Sequence, residues 1–203
     1  MIMKINQKQM LLVISGPSGT GKGTLANLLL ENDPSFSFSV SVTTRQRRDY
    51  EVEGVHYFFI SDAQYDQLIE EDAFLEHATV HGNRYGTLKT QVAKLMDEGK
   101  NVILDIDPQG ARQVLQNADD CVSVFILPPS FRTLRERLHT RNTDDPAEIE
   151  RRVHNAHEEV QHIGMYDYTV INDDLDTAFH QLQTIIEAEK LSTVRYLPVV
   201  EEE

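Results

Sequence analysis

The chain has 203 residues, of which 40% are hydrophobic and 26% are charged, as in an ordinary globular protein. This length suits one compact domain with small inserted subdomains better than two independent domains. The formal net charge of −14 argues against a nucleic-acid partner. No apolar stretch reaches the roughly 18 residues of a membrane-spanning helix, so we expect no membrane partner.

The arginines are concentrated in two segments despite this acidic composition. Arg45, Arg47 and Arg48 lie together, and six arginines fall between Arg132 and Arg152. This clustering predicts two local anion sites, although solvated helix faces would explain some of these arginines equally well.

The single cysteine and the N-terminal segment indicate the cellular compartment of the protein. Cys121 cannot form an internal disulfide, and it lies in the apolar run CVSVFIL, where we expect a buried thiol. The segment MIMKINQKQM contains no apolar run of signal-peptide length. We therefore expect a cytoplasmic protein.

Short apolar runs alternate with helical periods along most of the chain. Four runs have the length of strands: residues 10–15, 101–107, 121–127 and 168–172. Their nearly continuous hydrophobicity is typical of parallel strands that are buried on both faces. Apolar stripes at helical spacing begin at Leu88 and Leu175. The pattern predicts an α/β fold with a doubly wound parallel sheet.

Two segments interrupt this alternation. Residues 39–87 contain short alternating runs around one expected helix near 62–71, which predicts a small mixed-sheet insertion. Residues 131–165 are helical and arginine-rich, with a turn-forming break at RNTDDP, and such a hinged pair could close over a ligand as a lid. The single domain then consists of a core (1–38, 88–130 and 166–197), the insertion (39–87), the lid region (131–165) and an acidic tail (198–203).

A glycine-rich loop follows the first apolar run and opens a helical stretch, as a phosphate-binding loop requires. It contains Gly16, Pro17, Ser18, Gly19, Thr20, Gly21, Lys22, Gly23 and Thr24. Its glycines allow backbone N–H groups to point at phosphates, and Lys22 can reach the β- and γ-phosphates of ATP. An ordinary strand–helix turn is the alternative.

One position departs from the phosphate-loop pattern. The residue after the lysine is normally a serine or threonine that binds Mg²⁺, but here it is Gly23, and the hydroxyl comes at Thr24. The same GKGT form occurs in adenylate kinases. We therefore expect Mg²⁺ to depend more on ATP oxygens, water and nearby carboxylates.

Five motifs occur in a specific order and spacing: residues 15–24, 39–57, 74–87, 105–110 and 170–174. Together they resemble the guanylate kinase family, over about residues 10–190 of this chain. The resemblance implies a P-loop NTPase fold with three α/β/α layers, a GMP-binding insertion and a helical lid. It also implies in-line phosphoryl transfer from ATP to GMP with Mg²⁺, by a monomer or homodimer.

The resemblance assigns the acceptor site to eight residues. The GMP-phosphate grip maps onto Ser41, Arg45, Arg48, Tyr57 and Tyr85, and base recognition maps onto Glu76, Thr87 and Asp107. Guanidinium forks suit a dianionic phosphate, and carboxylates can accept from guanine N1–H and N2–H₂, where adenine would mismatch. Singly, the tyrosines could be core aromatics and Glu76 a solvent-facing strand residue.

The resemblance also assigns residues to the donor and to catalysis. Arg137, Arg141 and Arg152 match the lid and catalytic arginines, which act with Lys22 by placing positive charge on the moving group. Arg132, Arg135 and Arg151 look like partners of neighbouring acids.

Three further residues complete the donor side. Asn172 matches a contact to the adenine end of ATP, and Asp105, with Thr24, matches a Mg²⁺ site that acts through water. A turn asparagine at 172, and capping aspartates at 105 and 107, are the alternatives.

Two other functions are compatible with parts of this pattern. A kinase for another phosphorylated acceptor, such as a ribose bisphosphate, would need no base-recognition residues, yet Glu76, Thr87 and Asp107 are present. A catalytically inactive guanylate kinase-like interaction module would not need Lys22 or the loop glycines. Against the usual family run TTRxPRxGE, this chain has Arg47 in place of proline and Tyr50 in place of glycine.

Overall fold

The computed structural model of the protein describes residues 5–80, 82–118, 120–140 and 145–198. The strands are β1 (Ile5–Gln7), β2 (Leu11–Ser15), β3 (Phe36–Phe38), β4 (Val42–Thr43), β5 (Phe58–Phe59), β6 (Phe74–Val80), β7 (Asn83–Leu88), β8 (Asn101–Asp105), β9 (Val122–Leu127), β10 (Tyr168–Ile171) and β11 (Tyr196–Pro198). The helices are α1 (Lys22–Asn32), α2 (Asp62–Glu70), α3 (Lys89–Asp97), α4 (Pro108–Asn117), α5 (Phe131–Thr140), α6 (Pro146–Val160) and α7 (Leu175–Lys190).

The central sheet is parallel and has the strand order β10-β9-β2-β8-β3. Every residue of β2 is buried, because helices cover both of its faces. Leu12 and Ile14 pack with α1 and α7, whereas Leu11 and Val13 pack with α3 and α4. The expected fold class, a three-layer α/β/α domain with a parallel central sheet, is confirmed.

The chain changes direction across the sheet beside β2. The connection after β2 passes through α1 to β3 on one side, and the connection after β8 passes through α4 to β9 on the other. Ligands in such sheets bind outside the carboxyl ends of the strands at this switch point. The glycine-rich loop and the residues after β8 lie at this edge of the sheet.

A second, mixed sheet lies between residues 42 and 88, with the order β5-β4-β7-β6. Its small core is formed by Val42, Tyr65 and Phe74, and Tyr65 donates its hydroxyl to the Tyr85 carbonyl at 2.7 Å. The sheet is docked on α4, where the Gln113 amide both accepts from His77 N at 3.0 Å and donates to His77 O at 2.7 Å. This two-way bond ties the second sheet to the core.

Helices α5 and α6 pack through a separate apolar cluster of five buried residues: Leu134, Leu138, Ile149, Val153 and Ala156. The expected break between them is at residues 141–146, of which 145 and 146 are described. Asp145 caps α6 by accepting from Glu148 N, and Pro146 occupies the first turn.

Several elements differ from the sequence-based expectation. The strand expected over 101–107 ends at Asp105, because Asp107 caps α4 by accepting from Gly110 N. Helix α4 and strand β3 were not expected. Pro198, expected to begin the tail, belongs to β11, which pairs with β1. Cys121 is half-buried, and burial raises the pKa of its thiol to about 11.

A buried ion cluster fixes the C-terminal strand to the core. The Arg195 side chain is 5% exposed and lies 2.5 Å from Asp120 and 2.6 Å from Glu189. Glu189 also accepts from the Tyr168 hydroxyl at 2.6 Å, and Lys8 pairs with Asp120 at 2.9 Å. Because Arg195 precedes β11 directly, the cluster sets the position of that strand.

We expect Arg195→Met to lower the free energy of unfolding by about 3 kcal/mol, because it leaves two carboxylates without their shared cation. Urea denaturation followed by circular dichroism measures this. The matched control is Arg135→Met, which removes an exposed pair with Glu150 and should cost much less, because water screens that pair. Equal losses in the two variants would contradict a dominant role for the buried cluster.

Candidate active site

The loop between β2 and α1 can be built only from glycine at three positions. Gly16, Gly19 and Gly21 have φ angles of 134°, 91° and 91°. A Cβ at Gly16 would collide with the Ile126 carbonyl oxygen, and one at Gly21 would collide with the Asn172 amide. The loop therefore packs directly against the ends of the neighbouring strands.

Lys22 lies over this loop. Its ammonium donates to the Gly16 carbonyl at 2.7 Å and to the Pro17 carbonyl at 3.1 Å. No side chain caps the start of α1, which follows Gly21 directly. A helix start of this kind, with a cation above it, is suited to an anion.

A cavity of about 610 Å³ extends from the loop towards the second sheet. Asp105 lines this cavity at the end of β8 and is exposed to it. The surrounding protein limits the hydration of the carboxylate and raises its pKa, and the charge of Lys22 opposes the shift. A Cβ at Gly23 would lie 3.4 Å from Asp105 Oδ2, so glycine leaves space beside the carboxylate.

Glu76 is a buried carboxylate near the same cavity, not the solvent-facing residue that was the alternative. It is 4% exposed, and its Oε1 accepts from Thr87 Oγ1 at 2.6 Å. Its Oε2 faces Gly110, where any Cβ would collide with it. Burial raises its pKa to about 7, the charge of Asp107 adds to the shift, and the Thr87 bond opposes it.

The other two residues expected at the base, Thr87 and Asp107, lie close to Glu76. Ser41, which was expected at the phosphate, has its Oγ 3.5 Å from Thr87 Oγ1. Asp107 lines the cavity, and its Oδ1 accepts from Gly110 N at 2.8 Å. Asp107 therefore caps α4, as the alternative to a role in base recognition proposed. Its second carboxylate oxygen is not used by the cap.

Most of the expected phosphate grip is assembled around Arg45. Its Nε donates to the Tyr85 hydroxyl at 3.3 Å, and its guanidinium lies 5.5 Å from the centre of the Tyr57 ring. The rings of Tyr57 and Tyr85 meet edge to face at 5.8 Å. Arg48 differs, because it is exposed and donates to the Tyr50 hydroxyl at 2.8 Å.

One carboxylate in this group was missed. Glu51 is 4% exposed and forms a fork with Arg45, with distances of 2.6 and 3.0 Å. The fork lowers the pKa of Glu51 to about 2 and raises that of Arg45. The available sequence signal was an acid six residues after an expected phosphate-binding arginine.

Arg137 and Asn172 lie together on the other side of the loop. Arg137 donates to the Asn172 carbonyl at 2.8 Å, and the Asn172 amide donates to the Thr20 carbonyl at 2.7 Å. Both line a cavity of about 460 Å³, together with Thr24. Thr24 and Asp105, the two expected metal residues, therefore line different cavities.

Arg152 reaches the loop from α6. It donates to Ser18 Oγ at 3.2 Å and to Glu148 at 3.1 Å, and it lines the 610 Å³ cavity. The third expected arginine, Arg141, lies outside the described residues. Arg132, Arg135 and Arg151 each pair with an acid, at 3.9, 2.7 and 2.5 Å respectively. Arg151 also lines the cavity, which the sequence did not predict.

Glu159 was also missed. It lies on the same face of α6 as Arg152, seven residues later, and lines the cavity that contains Lys22. Burial raises its pKa to about 7, and Lys22 opposes the shift. Spacing along α6 could have indicated this position, but nothing in the sequence placed that face towards the loop.

Two kinds of feature are absent from the described residues. Across the described ranges, no group of three or more potential histidine, cysteine or acidic ligands could hold a metal ion. None of the helices described is both long enough and apolar enough to cross a membrane.

Comparisons with known proteins show which proteins the chain resembles. A family model described as "Guanylate kinase" matches residues 8–189. The chain is 51% identical over 190 residues to the guanylate kinase of Rhizobium meliloti, covering 93% of this chain and 87% of that one. It is 46% identical to that of Caldanaerobacter subterraneus subsp. tengcongensis, covering 98% and 99%. The crystal structure of guanylate kinase from Anaplasma phagocytophilum superposes with a TM-score of 0.77 at 33% identity, covering 96% and 93%.

We expect Glu76→Gln to stabilise the protein at pH 8. The pKa of Glu76 is about 7 in the folded state against an ordinary 4.5, so keeping the buried side chain ionised destabilises the fold above pH 7. The variant should gain about 2–3 kcal/mol at pH 8, a difference that shrinks as the pH falls towards 4.5. Urea denaturation at several pH values measures it. A constant difference across pH would show that the charge is not responsible.

Proposed function

The chain belongs to the guanylate kinase family and is an ATP:GMP phosphotransferase, and we propose that the cavity between its two sheets aligns the donor and acceptor phosphates. The γ-phosphoryl group of ATP passes directly to a phosphate oxygen of GMP, which forms GDP and ADP. The observation that carries this proposal is the buried Glu76–Thr87 pair beside Asp107, close to a cavity that also contains Lys22.

The guanine base is proposed to bind at Glu76, Thr87 and Asp107. The buried carboxylate of Glu76 can accept from N1–H and N2–H₂ of guanine, which are donors that adenine lacks at the corresponding edge. A wrong base would leave Glu76 buried without a partner, which is costly. Ser41, within 3.5 Å of Thr87, would extend this polar surface towards the acceptor phosphate.

The GMP phosphate is proposed to bind at Arg45, Arg48, Tyr57 and Tyr85. The Tyr85 hydroxyl accepts from Arg45 Nε, so its own proton remains available for a phosphate oxygen. Arg48 is exposed on the same loop and would turn from Tyr50 towards the dianion.

ATP is proposed to place its triphosphate in the loop of residues 16–24. Phosphate oxygens would replace the carbonyls of Gly16 and Pro17 as acceptors for Lys22. The adenine end would occupy the 460 Å³ cavity beside Arg137 and Asn172. Because the Asn172 amide is already bonded to Thr20, its proposed part is to fix the wall of that cavity.

The lid arginines are proposed to neutralise the moving phosphoryl group. Arg152 already contacts Ser18 in the loop, and Arg137 lies on the other side of the loop, so the two can place positive charge on the phosphates from two directions. Arg141 is proposed to act with them from the lid. Closure of the lid would exclude water, which would otherwise hydrolyse ATP.

Mg²⁺ is proposed to accompany ATP. Asp105 fits this ion, because it offers a hard oxygen ligand in the cavity beside Lys22 and the space at Gly23. Asp107 and Glu159 line the same cavity, but no group of three or more potential ligands among the described residues could hold a metal ion, so the ion would depend chiefly on ATP oxygens and water. It would neutralise charge on the β- and γ-phosphates. Thr24 lines the other cavity, so Asp105 is the better supported of the two metal residues.

The cellular setting is proposed on chemical grounds. The substrates are small molecules, and the net charge of −14 and the single cysteine support a cytoplasmic protein without a nucleic-acid or membrane partner. We propose a monomer or homodimer, by resemblance to the family.

The test is ADP release from MgATP, with GMP, AMP, CMP, UMP and ribose 1,5-bisphosphate supplied separately. We expect activity with GMP alone, a loss of at least 100-fold in kcat for Lys22→Ala, and a loss of similar size in kcat/KM for GMP in Glu76→Ala. Lys89→Ala, which removes an exposed lysine paired with Asp72, is the control and should retain activity.

Each alternative function has its own outcome in this experiment. Activity with ribose 1,5-bisphosphate that exceeds activity with GMP would favour a kinase for another acceptor. GMP binding without turnover of any acceptor would favour an interaction module.

We expect Gly23→Ser to lower the Mg²⁺ concentration that gives half-maximal activity by about threefold or more. A Cβ at this position fits beside Asp105 at 3.4 Å, and the added hydroxyl supplies an oxygen ligand there. Magnesium titration at fixed ATP measures the effect. Gly23→Ala fills the same space without the hydroxyl and should show no such change, so an equal shift in both variants would contradict the interpretation.

A further inference from the structure

The loop that follows β4 contains a buried carboxylate that contacts both arginines proposed for the GMP phosphate. Glu51 Oε1 and Oε2 accept from Arg45 at 2.6 and 3.0 Å, and Oε2 also accepts from the backbone N–H of Arg48 at 2.8 Å. We propose that Glu51 is a positioning residue that orients Arg45 for the acceptor phosphate. This inference rests on the proposed function.

The hydrogen bonds of Arg45 show how the fork with Glu51 limits the N–H groups that can bind a ligand. A guanidinium has five N–H donors in a fixed plane. In Arg45, Nε donates to Tyr85, Nη1 donates to Gln46 O and Glu51, and Nη2 donates to Glu51. One N–H of Nη2 has no partner among the described residues. Glu51 therefore determines which edge of the guanidinium is left for a ligand.

The surroundings of the fork restrict the plane of the guanidinium further. Arg45 lies 5.5 Å from the Tyr57 ring centre and 5.8 Å from that of Phe59. Glu51 N donates to the Arg48 carbonyl at 3.0 Å, which closes the turn from the other side. Glu51 thus connects the orientation of Arg45 to the backbone position of Arg48.

The effect of Glu51 on charge opposes its effect on geometry. Its pKa is lowered to about 2 by Arg45, so it stays ionised in any ordinary assay and cancels one positive charge near the phosphate. If charge alone mattered, removing it would strengthen the binding of a dianion. If orientation matters, removing it would weaken binding, because Arg45 must then be ordered when the ligand binds. Whether removal of the carboxylate strengthens or weakens GMP binding therefore distinguishes the effect of charge from the effect of orientation.

Two ligands distinguish the phosphate end from the base end. GMP and guanosine share the base and ribose, but only GMP carries the phosphate that Arg45 would contact. Calorimetric titration of the intact protein with each ligand gives both affinities without requiring turnover. The variants are Glu51→Gln, which keeps the shape but loses the charge, and Glu51→Asp, which keeps the charge but is too short for the fork.

The matched control is Glu53→Gln. Glu53 is an exposed acid on the same loop, accepts only from Phe59 N among the described residues, and contacts neither arginine. We expect both Glu51 variants to bind GMP at least tenfold more weakly and guanosine within twofold of the unaltered protein. The control should bind both ligands normally.

Three results would overturn the proposal. GMP affinity that is unchanged or increased in Glu51→Gln would show that the carboxylate only cancels charge. A normal GMP affinity in Glu51→Asp would show that the fork is not needed. Equal losses for GMP and guanosine would show that Glu51 only maintains the loop. If the unaltered protein binds GMP but does not phosphorylate it, the proposed reaction fails while this inference stands or falls on the binding data.

Discussion

The close packing of the glycine-rich loop against the ends of the neighbouring strands is the constraint on which the rest of the site depends. Gly16 lies against the backbone of Ile126 near the end of β9, and Gly21 lies against the Asn172 amide that follows β10. That amide also donates to Thr20, so the loop is held from the side of β10 by a buried hydrogen bond. Lys22 directly follows this fixed loop, and its ammonium lies over the loop, where it donates to the Gly16 and Pro17 carbonyls.

Two buried carboxylates of the site have opposite pKa shifts because their surroundings differ. Burial raises the pKa of Glu76 to about 7, although the carboxylate accepts hydrogen bonds from Thr87. Glu51 faces a guanidinium, and its pKa falls to about 2. A carboxylate without a cation is ready to accept from a neutral base, whereas a carboxylate in a fork is suited to hold an arginine in place. The same functional group thus occurs in the site in two opposite electrostatic environments.

The parts that surround the cleft pack directly on the core and on the loop. The second sheet is joined to the core where Gln113 of α4 bonds both backbone groups of His77 in β6. The α5–α6 pair meets the loop where Leu134 and Leu138 pack on Gly19, at distances that leave no room for a side chain. Movement of either part would therefore be transmitted to the loop or to Asp107 at the start of α4.

The sequence by itself determined four of the five strands of the central sheet and the identity of the loop. Strands buried on both faces are apolar throughout, and a phosphate loop needs its glycines and lysine at fixed spacing, so both signals are local. The family resemblance also indicated the acceptor residues, of which Arg45, Tyr57 and Tyr85 lie in one group and Glu76 and Thr87 in another. Only the tertiary structure decided that Glu51 bonds Arg45, that Arg48 bonds Tyr50, and that Glu159 faces Lys22. These contacts depend on the geometry of the loop after β4 and on how α6 lies over the glycine-rich loop. The spacing of residues in the sequence predicts neither. The pKa shifts of Glu51, Glu76 and Glu159 were not predictable either, because burial and the nearest charge are defined only once the chain is folded.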